Sequence, residues 1–160
     1  MQHGAGSAAD SGKDHYLRLA LMAFLSFVAM YGLMYAMVDR FSNVFANLNQ
    51  VYMAGLMAAP MVIIELLVMG SMYPNKRANM AILAVSAVAV IAFWLFIRTQ
   101  TGITDRQFLT SMIPHHGGAI LMCREAELHD PELENLCSRI ITSQQQEIDF
   151  MKAHLREKRD

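Results

Sequence analysis

Met112, His115 and His116 fall within five residues of one another, and Gln144, Glu147 and Met151 follow further along the chain. Neutral imidazole and thioether together suit copper, the thioether selecting Cu(I), whereas calcium and magnesium want oxygen ligands. A carboxylate such as Glu147 beside them also admits zinc or Cu(II). Cys123 and Cys137 leave three readings open: small apolar packing residues, a disulfide in an oxidising compartment, or metal ligands. Met1-Gln2-His3 is a weak amino-terminal copper pattern, the amine and amides closing on a third-position imidazole; the Gly, Ala and Ser after it read as a flexible tail. No G-x-S-x-G, H-E-x-x-H or P-loop pattern occurs, and no Glu-x-x-His pair of the kind that builds di-iron sites. The chain is expected to bind and not to turn over a substrate.

The elements that hold these residues can be read from periodicity. Thr104-Asp105-Arg106-Gln107 has the form of a capping box, with Thr104 as N-cap and Gln107 three residues later. A helix should run from there to about residue 128. Asp130-Pro131 then starts a second helix, with Pro131 at its first position and Glu132 and Glu134 at its positive end. So short a link makes the pair an antiparallel hairpin. Its expected apolar stripes are Phe108, Leu109, Met112, Ala119, Met122 and Ala126 on the first helix. The second supplies Leu133, Leu136, Cys137, Ile140, Ile141, Ile148, Met151 and Leu155. Pro114 should kink the first helix and free the carbonyl of Thr110. Gly117-Gly118 weakens that helix but lets another backbone approach.

Folding the hairpin about residue 130 sets His116 opposite Gln144, Met112 opposite Ile148 and Cys123 opposite Cys137. His115 is then expected near Gln144 and Glu147, with Met151 one turn past Met112. Both apolar stripes are interrupted at one height, and polar residues where a core belongs are the informative exception.

The remainder of the chain has a different character. Of 160 residues, 54% are hydrophobic and 17% charged, against about 45–50% and about 25% in soluble domains. Residues 1–100 carry six Lys/Arg and four Asp/Glu; residues 101–160 carry seven and ten. Residues 19–38, 51–73 and 79–97 are each long and apolar enough to cross a bilayer, which takes roughly 20 residues. Trp94 is placed as an interfacial anchor. Glu65 is costly at membrane depth, so it faces a functional cavity or is a protonated carboxyl bonded to Ser or Tyr. Met30, Met34 and Met37, and Met53, Met57 and Met61, stack on helix faces; apolar filling explains them better than a metal path. Lys13, Arg18, Lys76 and Arg77 flank one side of the spans, and Arg40, Arg98 and Arg106 the other. Four against three places the N-terminus in the cytoplasm and the hairpin in the periplasm of a bacterium. No basic stripe interleaved with aromatics appears, so a nucleic-acid partner is not expected.

The string Phe108-Leu109-x-x-Met112-Ile113-Pro114-His115-His116-x-x-Ala119-Ile120-x-Met122 resembles the signature of domain-of-unknown-function family 305. Pro131-Glu132-Leu133 and Ile140-Ile141-x-x-Gln144-x-x-Glu147-Ile148-x-x-Met151 are similar to its second helix. The likeness covers residues 104–157. It implies a ferritin-like helical bundle and a periplasmic copper-binding protein of the CopM type. By that resemblance Met112, His115, His116, Met122 and Met151 are metal ligands, with Gln144 and Glu147 supporting them.

The reading is therefore an all-α chain: a flexible tail over 1–16, three transmembrane helices over 17–100, and a soluble helical hairpin over 101–160. A lone hairpin of this size buries too little surface to stand alone. It is expected to complete a four-helix bundle by homodimerisation about a two-fold axis. The expected cargo is a copper ion, Cu(I) before Cu(II), with zinc behind, held in the bacterial inner membrane for sequestration, delivery or resistance. A copper transporter or chaperone would be the partner. The alternative is a structural membrane module whose hairpin mediates dimerisation or docking without metal.

Overall fold

Hydrophobic composition and short polar links produce a chain of helices, and the computed structural model describes residues 5–157, with side chains from residue 14. The helices are α1 (Ala5–Leu33), α2 (Leu48–Val68), α3 (Lys76–Thr99), α4 (Asp105–Glu125) and α5 (Pro131–Glu157). Short 3-10 turns occupy Met34–Met37, Phe41–Asn43 and Gly70–Met72. No strand occurs among the described residues. The Met1-Gln2-His3 pattern lies outside them. α1 begins at Ala5, inside the stretch read above as a tail, where Ala5, Ala8 and Ala9 favour the helix.

Three helical stretches, Asp14–Met37, Leu48–Val68 and Lys76–Thr99, are long and apolar enough to cross a membrane. Their outer side chains, among them Phe24, Leu67 and Val88, are left uncovered by protein. Met53 and Met57 lie on that exposed surface too. Met34 and Met37 fall in a 3-10 turn, so the first methionine stripe does not continue as an α-helical face.

The chain divides into two compact units. The first holds most of α1 with α2 and α3. Gly55 of α2 makes room for Phe93 of α3: a Cβ there would stand 2.5 Å from the Phe93 ring. Leu19, Leu66 and Tyr73 form a small buried cluster, and the Tyr16 hydroxyl donates to Asn79 Oδ1 at 2.6 Å. Glu65 accepts from the Tyr73 hydroxyl at 3.2 Å, so its partner is a tyrosine just past its own helix. Asn75 caps α3, its Oδ1 accepting from the backbone N–H groups of Arg77 and Ala78.

The second unit joins Leu33–Gln50 to the chain from Gly102 onward. It thus takes in a connection that the sequence reading counted with the membrane part. α4 and α5, linked by five residues, pack along each other around Leu109, Ile113, Ile120, Ile148, Met151 and Leu155. Ile113, Ile120 and Ile148 are wholly buried, each contributing about 1.5–3 kcal/mol of transfer free energy.

The α4 stripe differs from expectation. Phe108 and Met122 are more than half exposed, while Ile113 and Ile120 are core. The reason is that α4 serves two neighbours, α5 and the Leu33–Gln50 connection. Its buried arc is therefore turned away from the position that a simple two-helix pairing gives.

Candidate metal centre

α4 starts as its sequence dictates: Thr104 Oγ1 accepts from the Gln107 N–H. The Gln107 side chain does not complete a capping box; its Oε1 accepts from the Leu48 N–H at 2.9 Å. Pro114 deprives the Thr110 carbonyl of its helical donor, and Asn47 Nδ2 supplies a replacement at 3.4 Å. Asn47 Oδ1 in turn accepts from the Ser111 hydroxyl and the Gln50 N–H. The connection is thereby fastened to the first half of α4.

One turn later the glycine pair admits the same connection. A Cβ on Gly117 would stand 2.7 Å from Asp39 Oδ1, and one on Gly118 3.4 Å from the Met37 carbonyl oxygen. Asp39, its side chain 1% exposed, is held by Arg40 at 2.8 Å, by Asn43 Nδ2 at 2.6 Å and more loosely by Arg124 at 3.8 Å. Sequence reasoning missed Asp39, Asn43 and Asn47. The signal was an Asp and three Asn in a short link between apolar helices, more hydrogen-bonding groups than a link needs.

His116 is 5% exposed. Its Nδ1 lies 2.8 Å from the Met112 carbonyl oxygen and its Nε2 2.6 Å from Glu147 Oε2. Glu147 Oε1 accepts from the Ser143 hydroxyl. The His116 bond first, and the Ser143 bond second, hold the Glu147 carboxyl below the usual glutamate range. Both ring nitrogens thus lie within hydrogen-bond distance of oxygen atoms.

His115, expected near Gln144 and Glu147, is instead exposed, its ring edge-on to His116 at 5.9 Å. It is His116 that meets Glu147. Side chains lean toward the N-terminus of their helix, so the long Glu147 arm covers the height at which Gln144 was placed opposite His116.

Met112 packs, half-buried, against the core cluster that contains the buried Met151. Two thioethers therefore share the cluster beside which His116 is anchored. Gln144 Oε1 is buried and has no hydrogen-bond partner. Met122 is 55% exposed; six residues past His116, it points about 240° around the helix from it. The structure thus brings His116, Glu147 and the Met112 backbone together directly, gathers the thioethers of Met112 and Met151 in one cluster, and leaves His115 and Met122 at the surface. Among the described residues no group of three or more His, Cys, Asp or Glu gathers to hold a metal.

Cys123 and Cys137 form a disulfide between α4 and α5 close to their five-residue link, with Cα atoms 5.2 Å apart. Of the three readings left open above, pairing is the one found, and neither sulfur remains as a thiolate ligand.

A family model described as "Domain of unknown function (DUF305)" matches residues 96–155. A protein of Acanthamoeba polyphaga mimivirus, described as uncharacterized protein L153, is 33% identical over 144 residues, covering 88% of this chain and 93% of that protein. The likeness to it extends well beyond the stretch that the family model matches. No solved structure matches the chain.

Proposed function

This chain belongs to the family of the DUF305 domain, and from that premise we propose that it is a membrane-anchored copper-binding protein. It takes Cu(I) through methionine and histidine side chains for sequestration, delivery or resistance, and hands it to a copper transporter or chaperone. The observation that carries the reading is the setting of His116: a buried imidazole tied to Met112 and to Glu147, at the edge of a cluster holding two thioethers. The unpartnered carbonyl of Gln144, one turn before Glu147, adds a buried donor with nothing to bind. Met112, His116 and Met151 are the central ligands in this proposal, and His115 and Met122, at the surface, are outer ones. Glu147 and Gln144 support them. Soft thioethers favour Cu(I) over Cu(II), with zinc a weaker cargo because it prefers nitrogen, thiolate and carboxylate.

In the proposed arrangement α4 and α5 are an antiparallel hairpin, half of a ferritin-like four-helix bundle that a second protomer completes. Support comes from apolar side chains left open on both helices: Met122, Leu133, Leu136 and Phe150 are 55%, 45%, 42% and 67% exposed. The anchor crosses a bacterial inner membrane three times, with the hairpin in the periplasm. Three crossings return the link after α1 and the chain after α3 to one side, as the Asn47–Thr110 and Asp39–Arg124 contacts require. A disulfide suits an oxidising compartment.

The test is a competitive Cu(I) titration of the full-length protein in detergent against a chromogenic chelator, under anaerobic conditions. The full chain is needed because Leu33–Gln50 belongs to the unit that holds the site. Tight binding, lost in the His115→Ala/His116→Ala double variant with helicity unchanged, is the expected result. Absence of binding by a folded protein sinks the proposal.

A second reading, a structural module that docks a partner without metal, is favoured by one observation: both His116 ring nitrogens already have partners. In that case the same double variant loses assembly in a cross-linking assay and no copper affinity is there to lose.

A further inference from the structure

Away from Glu147, the second unit carries a half-open recess of about 290 Å³. Arg106 from α4, Lys152 and Arg156 from α5, and Ser42 from the connection line it. Thr110 also lines it, but its hydroxyl donates back to the Arg106 and Gln107 carbonyls. No ion pair among the described residues includes Arg106, Lys152 or Arg156. The Arg156 Nε–H donates to the backbone carbonyl of Lys152.

Three cationic side chains thus line one recess whose lining holds no Asp or Glu. The Lys152 ammonium is held below the usual lysine range by burial first and by Arg40 next, with Arg156 acting in the same sense. Asp149 and Asp39 oppose this, yet Asp39 is committed to Arg40 and Asn43. Asp105 lines the adjoining recess, which Arg106 and Leu155 share, and does not line this one.

We propose that this cavity binds a phosphate-type oxyanion, gripped by Arg106, Lys152 and Arg156 with the Ser42 hydroxyl as a neutral donor. A compact ion with several charged oxygens satisfies two guanidinium forks and an ammonium at once. A single carboxylate does not. Phe45 and Leu155 form an apolar wall beside the cations, which suits the organic part of a phosphate ester. Ser42 lies five residues past the first apolar stretch and Arg106 seven past the third. At no more than about 3.6 Å per residue, both are tethered within about 25 Å of a span end. The phosphate of an anionic lipid headgroup and free phosphate are thus the two sources of one chemistry.

The experiment uses the full-length chain without copper, so its outcome is independent of the copper proposal. In detergent, inorganic phosphate is titrated calorimetrically at low salt; in nanodiscs, lipid retained by the protein is read by native mass spectrometry with phosphatidylglycerol against phosphatidylcholine. Arg106→Gln and Lys152→Gln, which keep a polar side chain and remove its charge, are expected to weaken binding about tenfold each. Arg106 is at the surface, so Arg106→Gln tests the site without disturbing the fold. Phosphate binding lost in the variants assigns a soluble anion. Phosphatidylglycerol retention lost in the variants, with no response to inorganic phosphate, assigns a headgroup. Binding of neither, or binding unchanged in both variants, overturns the proposal.

Discussion

His116 Nε2 and Glu147 Oε2 stand 2.6 Å apart, and this contact ties α4 to α5 at the height where both helices interrupt their apolar faces. The imidazole is buried and the carboxylate half exposed. The pair thus has one end in the core and one in water, which is what gives it a readable pH dependence.

Glu147 titrates below its ordinary value when folded, the main cause being its bond from His116. A carboxyl with a depressed folded pKa contributes stability that is complete above its unfolded value of about 4.3 and is lost as pH falls through the folded value. Glu147→Gln should therefore be less stable than the parent near neutral pH, and the gap should close as the solution is acidified past the glutamate range. Thermal unfolding of both proteins across an acid series checks this; a gap that widens on acidification contradicts the pairing.

Asn47 and Pro114 should be energetically coupled. Asn47→Ala leaves the Thr110 carbonyl buried without a donor, at a cost of about 1–3 kcal/mol. Pro114→Ala restores a backbone N–H at the position that normally bonds that carbonyl. In the Pro114→Ala background the Asn47 substitution should cost clearly less, and a double-mutant cycle in denaturant measures the difference.

The two glycines of α4 should respond oppositely to alanine. At Gly117 the new Cβ meets the pinned Asp39 carboxylate at 2.7 Å, and the strain, about 1–3 kcal/mol, exceeds the helix gain of about 1 kcal/mol. At Gly118 the contact is an ordinary one at 3.4 Å, so Gly118→Ala should be neutral or stabilising. Melting temperatures of the two variants decide it.

Cys123 and Cys137 are 14 residues apart in sequence, and a loop of that length is worth about 3 kcal/mol when closed. The Cys123→Ser/Cys137→Ser variant should unfold at lower denaturant, and dithiothreitol should shift the parent toward the variant while leaving the variant unmoved.

Much of this architecture was legible in the chain. Three apolar runs, the Thr104 cap and the Pro131 start depend on neighbours a few residues away, and so did the fold-back that sets Cys123 opposite Cys137. The same arithmetic found the height of the interrupted stripes. It did not find which histidine turns inward, because His115 and His116 differ by 100° of helix rotation and the rotation is set by what packs on both sides of α4.

What the residues alone determined was the inventory of helices, the pairing of α4 with α5 and the stock of soft donors, since each follows from local periodicity and link length. Only the tertiary structure decided that Leu33–Gln50 folds onto α4, with Asn47 answering the carbonyl that Pro114 frees and Asp39 filling the room that Gly117 leaves. Those partners lie 63 and 78 positions apart, and no local pattern links them. They meet because a freed carbonyl and a bare backbone are unsatisfied until a distant segment covers them.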